Sequence, residues 1–146
     1  MSRDQYKDVR ECHEHFGLVL NGPRPRRLSK RKMLERIQFL QEELDELVTA
    51  TGLKGKGSAQ DFAGQADALV DLVYVALGTA AMMGLPWGAL WDDVHRANMS
   101  KVRGITHRGH KVDLAKPAGW VGPHTDEILT LAGYDAEEGE VDDDEA

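Results

Sequence analysis

Residues 72–83 are apolar on every side, and no charged residue falls between Asp71 and Asp92. A helix apolar all round has no face to give to water, so this stretch must be a buried central element. It ends at Gly84 and Pro86, short of the roughly 20 residues a membrane span needs, and no membrane association is expected. Elsewhere Met33, Ile37, Leu40, Leu44, Leu47 and Val48 recur at steps of 4, 3, 4, 3 and 1, a helical stripe rather than a strand. No long alternating pattern and no internal repeat competes with it. The expected fold is all-α: a four- to five-helix bundle with an irregular C-terminal segment.

Local punctuation divides the bundle. A first helix is predicted over 3–16, closed by Gly17. Asn21-Gly22-Pro23 opens a turn-rich basic connection, and Ser29 is the predicted N-cap of a second helix over 30–50. A glycine- and lysine-rich loop over 51–58 leads to a third helix over 59–83, with Gly84 at its C-cap. Pro86 suits the first turn of a fourth helix ending near Val102. Residues 103–122 read as loop with room for a short hairpin, and a last short helix runs from Pro123 to Ala132.

Charge separates a tail from this body. The chain of 146 residues carries a formal net charge of −7. Eight acids lie from Asp135 onward with no base among them, which leaves the rest near neutral. Such a run repels itself and buries nothing. The organisation expected is one domain over 1–133 and an acidic disordered tail over 134–146. Arg24, Arg26, Arg27, Lys30, Arg31 and Lys32 form a basic run, expected to pair with that tail or with a partner subunit; nucleic acid is not expected as a ligand. The single cysteine, Cys12, excludes an internal disulfide framework and a Cys-rich zinc site. The first fifteen residues are too charged for a signal peptide. A cytoplasmic location is expected, a host's cytoplasm if the chain is of phage origin.

The chemistry lies in the carboxylates. In Gln41-Glu42-Glu43-Leu44-Asp45-Glu46 a helix places Glu43 and Glu46 on one face, one turn apart, flanking the apolar stripe. Both are therefore expected to be half-buried, with Glu42 and Asp45 toward solvent. Asp67 and Asp71 share a face of the third helix. Leaving an ionised carboxylate buried and alone costs several kcal/mol, of order ~3–5, and no lysine or arginine lies between Asp61 and Asp92. If the two helices pack antiparallel, the four acids converge, and all-oxygen ligation suits a hard divalent cation, Mg²⁺ or Mn²⁺. A solvated acidic helix face is the plainer reading of the first group alone. Near the end of the fourth helix Asn98 and Lys101 face together. An amide and an ammonium there suit a nucleotide's oxygens, or simply cap the helix.

These residues resemble those of the all-α nucleoside triphosphate pyrophosphohydrolases, which include MazG-like, dimeric dUTPase-like and phosphoribosyl-ATP pyrophosphohydrolase-like proteins. Their pattern is Glu-Glu-x-x-Glu followed by Glu-x-x-Asp. Glu42, Glu43 and Glu46 supply the first half. In the second half Asp71 matches, but Ala68 stands at the Glu position and Asp67 lies one residue earlier. The longer strings from Asp67 to Ala80 and from His95 to Lys101, with Lys116-Pro-Ala-Gly-Trp120-Val-Gly-Pro123, are similar to the phosphoribosyl-ATP pyrophosphohydrolase-like branch.

The resemblance implies a helical bundle that forms a homodimer or homotetramer. It implies Mg²⁺ held by Glu43, Glu46 and Asp71 with Asp67 as a further ligand, and nucleotide contacts from Asn98 and Lys101. The implied reaction is hydrolysis of a nucleoside triphosphate between the α and β phosphates, with Glu42 or Glu43 as base for the attacking water. Lys54 and Lys56 are candidates to attract the phosphate tail. Two alternatives stand beside this expectation: phosphoribosyl-ATP as the substrate, and a helical interaction module without catalysis.

Overall fold

The computed structural model describes residues 4–53 and 59–142. Lys54 and Lys56 lie outside them. Five helices and one short antiparallel ribbon make up the fold: α1 (Gln5–Phe16), α2 (Lys30–Ala50), α3 (Phe62–Met82), α4 (Trp87–Met99), β1 (Val102–Gly104), β2 (Asp113–Ala115) and α5 (Thr125–Leu131). The all-α expectation is met. The chain forms two compact units, one of residues 1–85 with 135–146 and the other of residues 86–134.

In the larger unit the caps explain the helix ends. Asp4 accepts from the Lys7 amide, Ser29 from Lys32 and Asp61 from Gly64, each satisfying an amide that the first turn leaves without a partner. Asp61 moves the start of α3 to Phe62, three residues later than predicted. Gly17 closes α1 at φ 64° and Gly84 closes α3 at φ 63°. At Gly84 a Cβ would also stand 2.7 Å from the backbone of Asn21 and Gly22, so the chain leaving α1 passes directly over this turn. Asn21 fastens that crossing, its Nδ2 donating to Met82 O at 2.6 Å.

Hydrogen bonds fix α2 and α3 as an antiparallel pair. At one end Ala50 O accepts from the Asp61 amide at 2.8 Å and from Gln65 Nε2 at 3.2 Å. At the other, Arg36 Nε donates to Thr79 Oγ1 at 3.1 Å and Arg36 Nη2 to Val75 O at 3.0 Å. The core gathers around the second half of α3, where Val75, Leu77, Gly78, Ala80, Ala81 and Met82 are buried, together with Val9 and His13 of α1.

The first half of α3 does not follow the prediction of burial on every side: Leu69, Val70 and Val73 are each more than half exposed. Nor is any residue of α2 fully buried; Ile37 and Leu44 of its stripe face outward, as does Leu34. One chain has too few helices to cover both faces of this pair. By length and composition α3, at 21 residues, is long and apolar enough to cross a membrane, contrary to the shorter run read from sequence; Asp67 and Asp71 lie within it.

The acidic segment departs from the expectation of a disordered tail through residue 142. Its backbone runs parallel to residues 27–29: the Val141 amide donates to Arg27 O at 2.8 Å and the Ser29 amide to Val141 O at 2.9 Å. Arg24 Nη2 meets Glu138 Oε1 at 2.6 Å, Arg26 and Arg27 donate to the carbonyls of Gly139 and Glu138, and Arg31 pairs with Asp142. The basic run supplies both the charge and the free backbone edge that a self-repelling segment lacks on its own.

In the smaller unit α4 packs with α5, and Trp120, in the chain after the ribbon, donates its Nε1 to Ala97 O of α4. Pro86 caps α4 without a side-chain bond. Asp93 binds this unit together: it accepts from Arg96 Nε at 2.7 Å and from the His124 amide at 2.5 Å. These donors hold its carboxyl at a pKa of about 2, with the Arg96 bond the largest cause. The rings of Trp87 and Trp91 lie tilted against each other with centroids 6.2 Å apart, and Trp91 is mostly exposed.

Candidate active site

The register of α2 against α3 decides which acids meet. Arg36 lies level with Val75 and Thr79, and Ala50 with Asp61 and Gln65. Each step forward along α2 is a step back along α3, so counting in from either end brings Glu43 level with Val70 and Asp71, and Glu46 level with Asp67. Electrostatics agrees. The Glu43 carboxyl is pushed above the usual carboxylate range, first by burial and then by the negative charges of Glu46, Asp71, Glu42 and Asp67. Acids from both helices therefore surround one half-buried carboxyl.

None of the five forms an ion pair or a side-chain hydrogen bond among the described residues. Other carboxylates of the chain do: Glu35 with Arg31 and Lys32, Asp93 with Arg96, Asp113 with Arg108, and Glu138 with Arg24. Asp45 is separate from the group, accepting from Gln41 Nε2 at 3.1 Å. Glu43 and Asp71 are half-buried, while Glu42, Glu46 and Asp67 are exposed. Glu46 thus differs from the half-buried placement that its spacing predicts.

The carboxylates adjoin a concavity that sequence alone did not disclose. A cavity of about 700 Å³ opens between the end of α1, the chain after it and the first turns of α2. Glu42 lines it, with His13, Lys32, Glu35, Arg36 and Phe39 among its walls. Arg36 is its distinctive wall. Among the described residues its guanidinium bonds neutral acceptors on α3 alone; it lies 5.2 Å from the centre of the Phe39 ring, and burial lowers its pKa. Gly78 makes room for it, since a Cβ there would stand 3.1 Å from Arg36 Nη2 and 3.0 Å from His13 Nε2. An arginine amid the apolar stripe of α2 is a sequence signal that could have pointed here.

The family model for phosphoribosyl-ATP pyrophosphohydrolase matches residues 9–98. The chain belongs to that family. The match takes in all five acids and the cavity, and membership supports a pyrophosphohydrolase-like activity for the chain. A search of curated proteins finds no match.

Asn98 and Lys101 lie in the smaller unit, where Lys101 Nζ donates to Asn98 Oδ1 at 2.8 Å. They meet as the helical spacing predicts.

The acids match a hard divalent cation in chemistry, being carboxylate oxygens alone, crowded and without partners. They are not a finished cage. Among the described residues no three His, Cys, Asp or Glu side chains close on one point.

Proposed function

We propose that this member of the phosphoribosyl-ATP pyrophosphohydrolase family hydrolyses nucleoside triphosphates between the α and β phosphates, releasing a monophosphate and pyrophosphate, with Mg²⁺ or Mn²⁺. The observation that carries this is the set of five unpaired carboxylates on facing turns of α2 and α3, inside the segment that matches the family. Glu43, Glu46 and Asp71 would hold the ion, with Asp67 as a further ligand. When bound, the ion supplies Lewis-acid stabilisation of phosphate charge and lowers the pKa of a water.

The remaining work belongs to the chain's own side chains. Glu42 or Glu43 accepts the proton of the attacking water. The cavity walled by Phe39, His13 and Arg36 receives the nucleoside, and Glu42 joins cavity to acids. Asn98 and Lys101 contact nucleotide oxygens as a pair, an assignment supported by their mutual hydrogen bond. The outward apolar residues of α2 and α3 support assembly as a homodimer or homotetramer that covers them.

The test is a panel of ribo- and deoxyribonucleoside triphosphates with Mg²⁺, scored for monophosphate and pyrophosphate. Glu43→Gln should remove most turnover while helix content stays. The family match also favours phosphoribosyl-ATP as a substrate, so it belongs in the same panel. Release of pyrophosphate from phosphoribosyl-ATP alone would replace the broader reading. Turnover of none of these compounds would refute both.

A further inference from the structure

In the smaller unit, residues 101–116 carry five lysines and arginines and one acid, in a chain whose net charge is −7. The acid, Asp113, is fully engaged. It accepts from Thr106 Oγ1 at 2.5 Å, from Arg108 Nε at 2.8 Å and from the Leu114 amide at 2.8 Å. That leaves Lys101, Arg103, Lys111 and Lys116, none of which has a carboxylate within ion-pair distance among the described residues.

The ribbon gathers three of them on one side. Val102 pairs with Ala115 and Arg103 with Leu114. Strand side chains alternate, so Lys101 and Lys116, one step beyond the Val102–Ala115 pair, share a face with Arg103. The indole of Trp120 lies between the two lysines, with Lys101 Nζ 5.4 Å and Lys116 Nζ 4.8 Å from its ring centre. Trp120 is held in turn by its Nε1, which donates to Ala97 O at 2.9 Å. Like charges facing each other across strands repel. Contact with the ring offsets part of that repulsion, and an anion bridging the two ammonium groups would remove the rest. The arginines at 24–31 make the contrast, since their charge already meets the acidic segment.

We propose that the β1–β2 ribbon and Trp120 form an anion-binding element that takes the polyphosphate chain of a nucleotide, with Arg103 and Lys116 joining Lys101. Two flexible ammonium groups and a guanidinium fork match successive phosphate groups, each carrying charge and acceptor oxygens. The identity of the ligand rests on the pyrophosphohydrolase reading, while the charge of the element does not.

The test titrates inorganic tripolyphosphate into the full chain in chelator and low salt, by calorimetry and by the indole N–H signals of its three tryptophans. Wild type should bind, with affinity falling steeply as salt rises, and the Trp120 signal should shift while those of Trp87 and Trp91 stay. Arg103→Gln with Lys116→Gln should weaken binding at least tenfold and, in turnover with Mg²⁺, raise KM more than it lowers kcat. Both side chains are exposed, so helix content should not change. Equal affinity in wild type and variant overturns the proposal. So does tight binding of a single-stranded oligonucleotide without binding of tripolyphosphate, which would make the ribbon a nucleic-acid surface. If tripolyphosphate binding depends on Arg103 and Lys116 but no nucleotide is hydrolysed, the anion element stands and the enzymatic reading fails. If nucleotides are hydrolysed and the variant keeps its KM, the reverse holds.

Discussion

Removing charge from the candidate site should make the ion-free protein more stable. Like charges one turn apart on a helix destabilise it by about 0.2–0.5 kcal/mol. Glu46→Gln removes two such contacts, with Glu42 and Glu43, and Asp71→Asn removes one, with Asp67. Across the pair of helices the register adds Glu46 facing Asp67 and Asp71 facing Glu43. At similar magnitude, the five contacts together predict that the double variant gains about 1–2 kcal/mol. For a chain of this length that is a rise in Tm of about 2–8 °C.

The assay is thermal denaturation in chelator, at fixed protein concentration and matched ionic strength. Mg²⁺ is then added at increasing concentration. Binding to the folded state stabilises wild type by about 2.7 kcal/mol once Mg²⁺ reaches a hundred times its dissociation constant. The variant should gain little, so the order of the two melting curves should reverse. A variant that melts at or below wild type in chelator would show that these acids have partners, and the argument from unpaired carboxylates would fail. A full Mg²⁺ response in the variant would remove Glu46 and Asp71 from the ion.

Three further outcomes follow from the geometry. Gly17→Ala incurs only the left-handed backbone penalty, about 1–2 kcal/mol, because nothing lies within 4 Å of its added Cβ; Gly84→Ala meets backbone at 2.7 Å as well and should cost clearly more in urea denaturation. Asp93 ionises in the folded chain at about 2, below its unfolded value near ~3.9, so its stabilisation is complete above pH ~4 and lost as pH falls toward 2; Asp93→Asn should therefore differ from wild type at pH 6 and converge with it at pH 2. The proposed homo-oligomer predicts a light-scattering mass above that of a single chain, and Ile37→Glu, on the outward face of α2, should reduce it to one chain without loss of helix content.

The helices were legible in the sequence because their ends are written in single residues. Ser29, Gly17 and Gly84 are unambiguous, and α2 begins and ends where its pattern says. The acid pairs on each helix were legible for the same reason, since they depend on periodicity alone. What periodicity cannot supply is the neighbour. It identified the stripe of α2 but not that Ile37 and Leu44 would face outward in one chain. It identified a basic run and an acidic tail, yet a run of acids carries no local signal for the bridge at Leu28 and Val141. The cavity was invisible because its walls come from segments separated in sequence. Arg103 and Lys116 were unremarkable until the ribbon placed them on one face with Lys101.

Charge left without a partner is the thread that joins the two candidate elements. Among the described residues folding matches several ions: the arginines at 24–31 to the acidic segment, Arg96 to Asp93, Arg108 to Asp113. Among the described residues, the five carboxylates on α2 and α3 and the cations on the ribbon form no ion pair, and each set is clustered. If solubility were their only role, the two signs would be interspersed over the surface, since that arrangement gives hydration without mutual repulsion. They are segregated instead, each on its own unit. Each unit by itself offers a surface of one sign, acids that suit a divalent cation and cations that suit phosphate. The cation needs carboxylates that no lysine has neutralised, and the phosphates need ammonium groups that no carboxylate has claimed. Pairing either group within the protein would gain a little stability, on the order of 1 kcal/mol per exposed ion pair, at the expense of the charge that such a ligand requires.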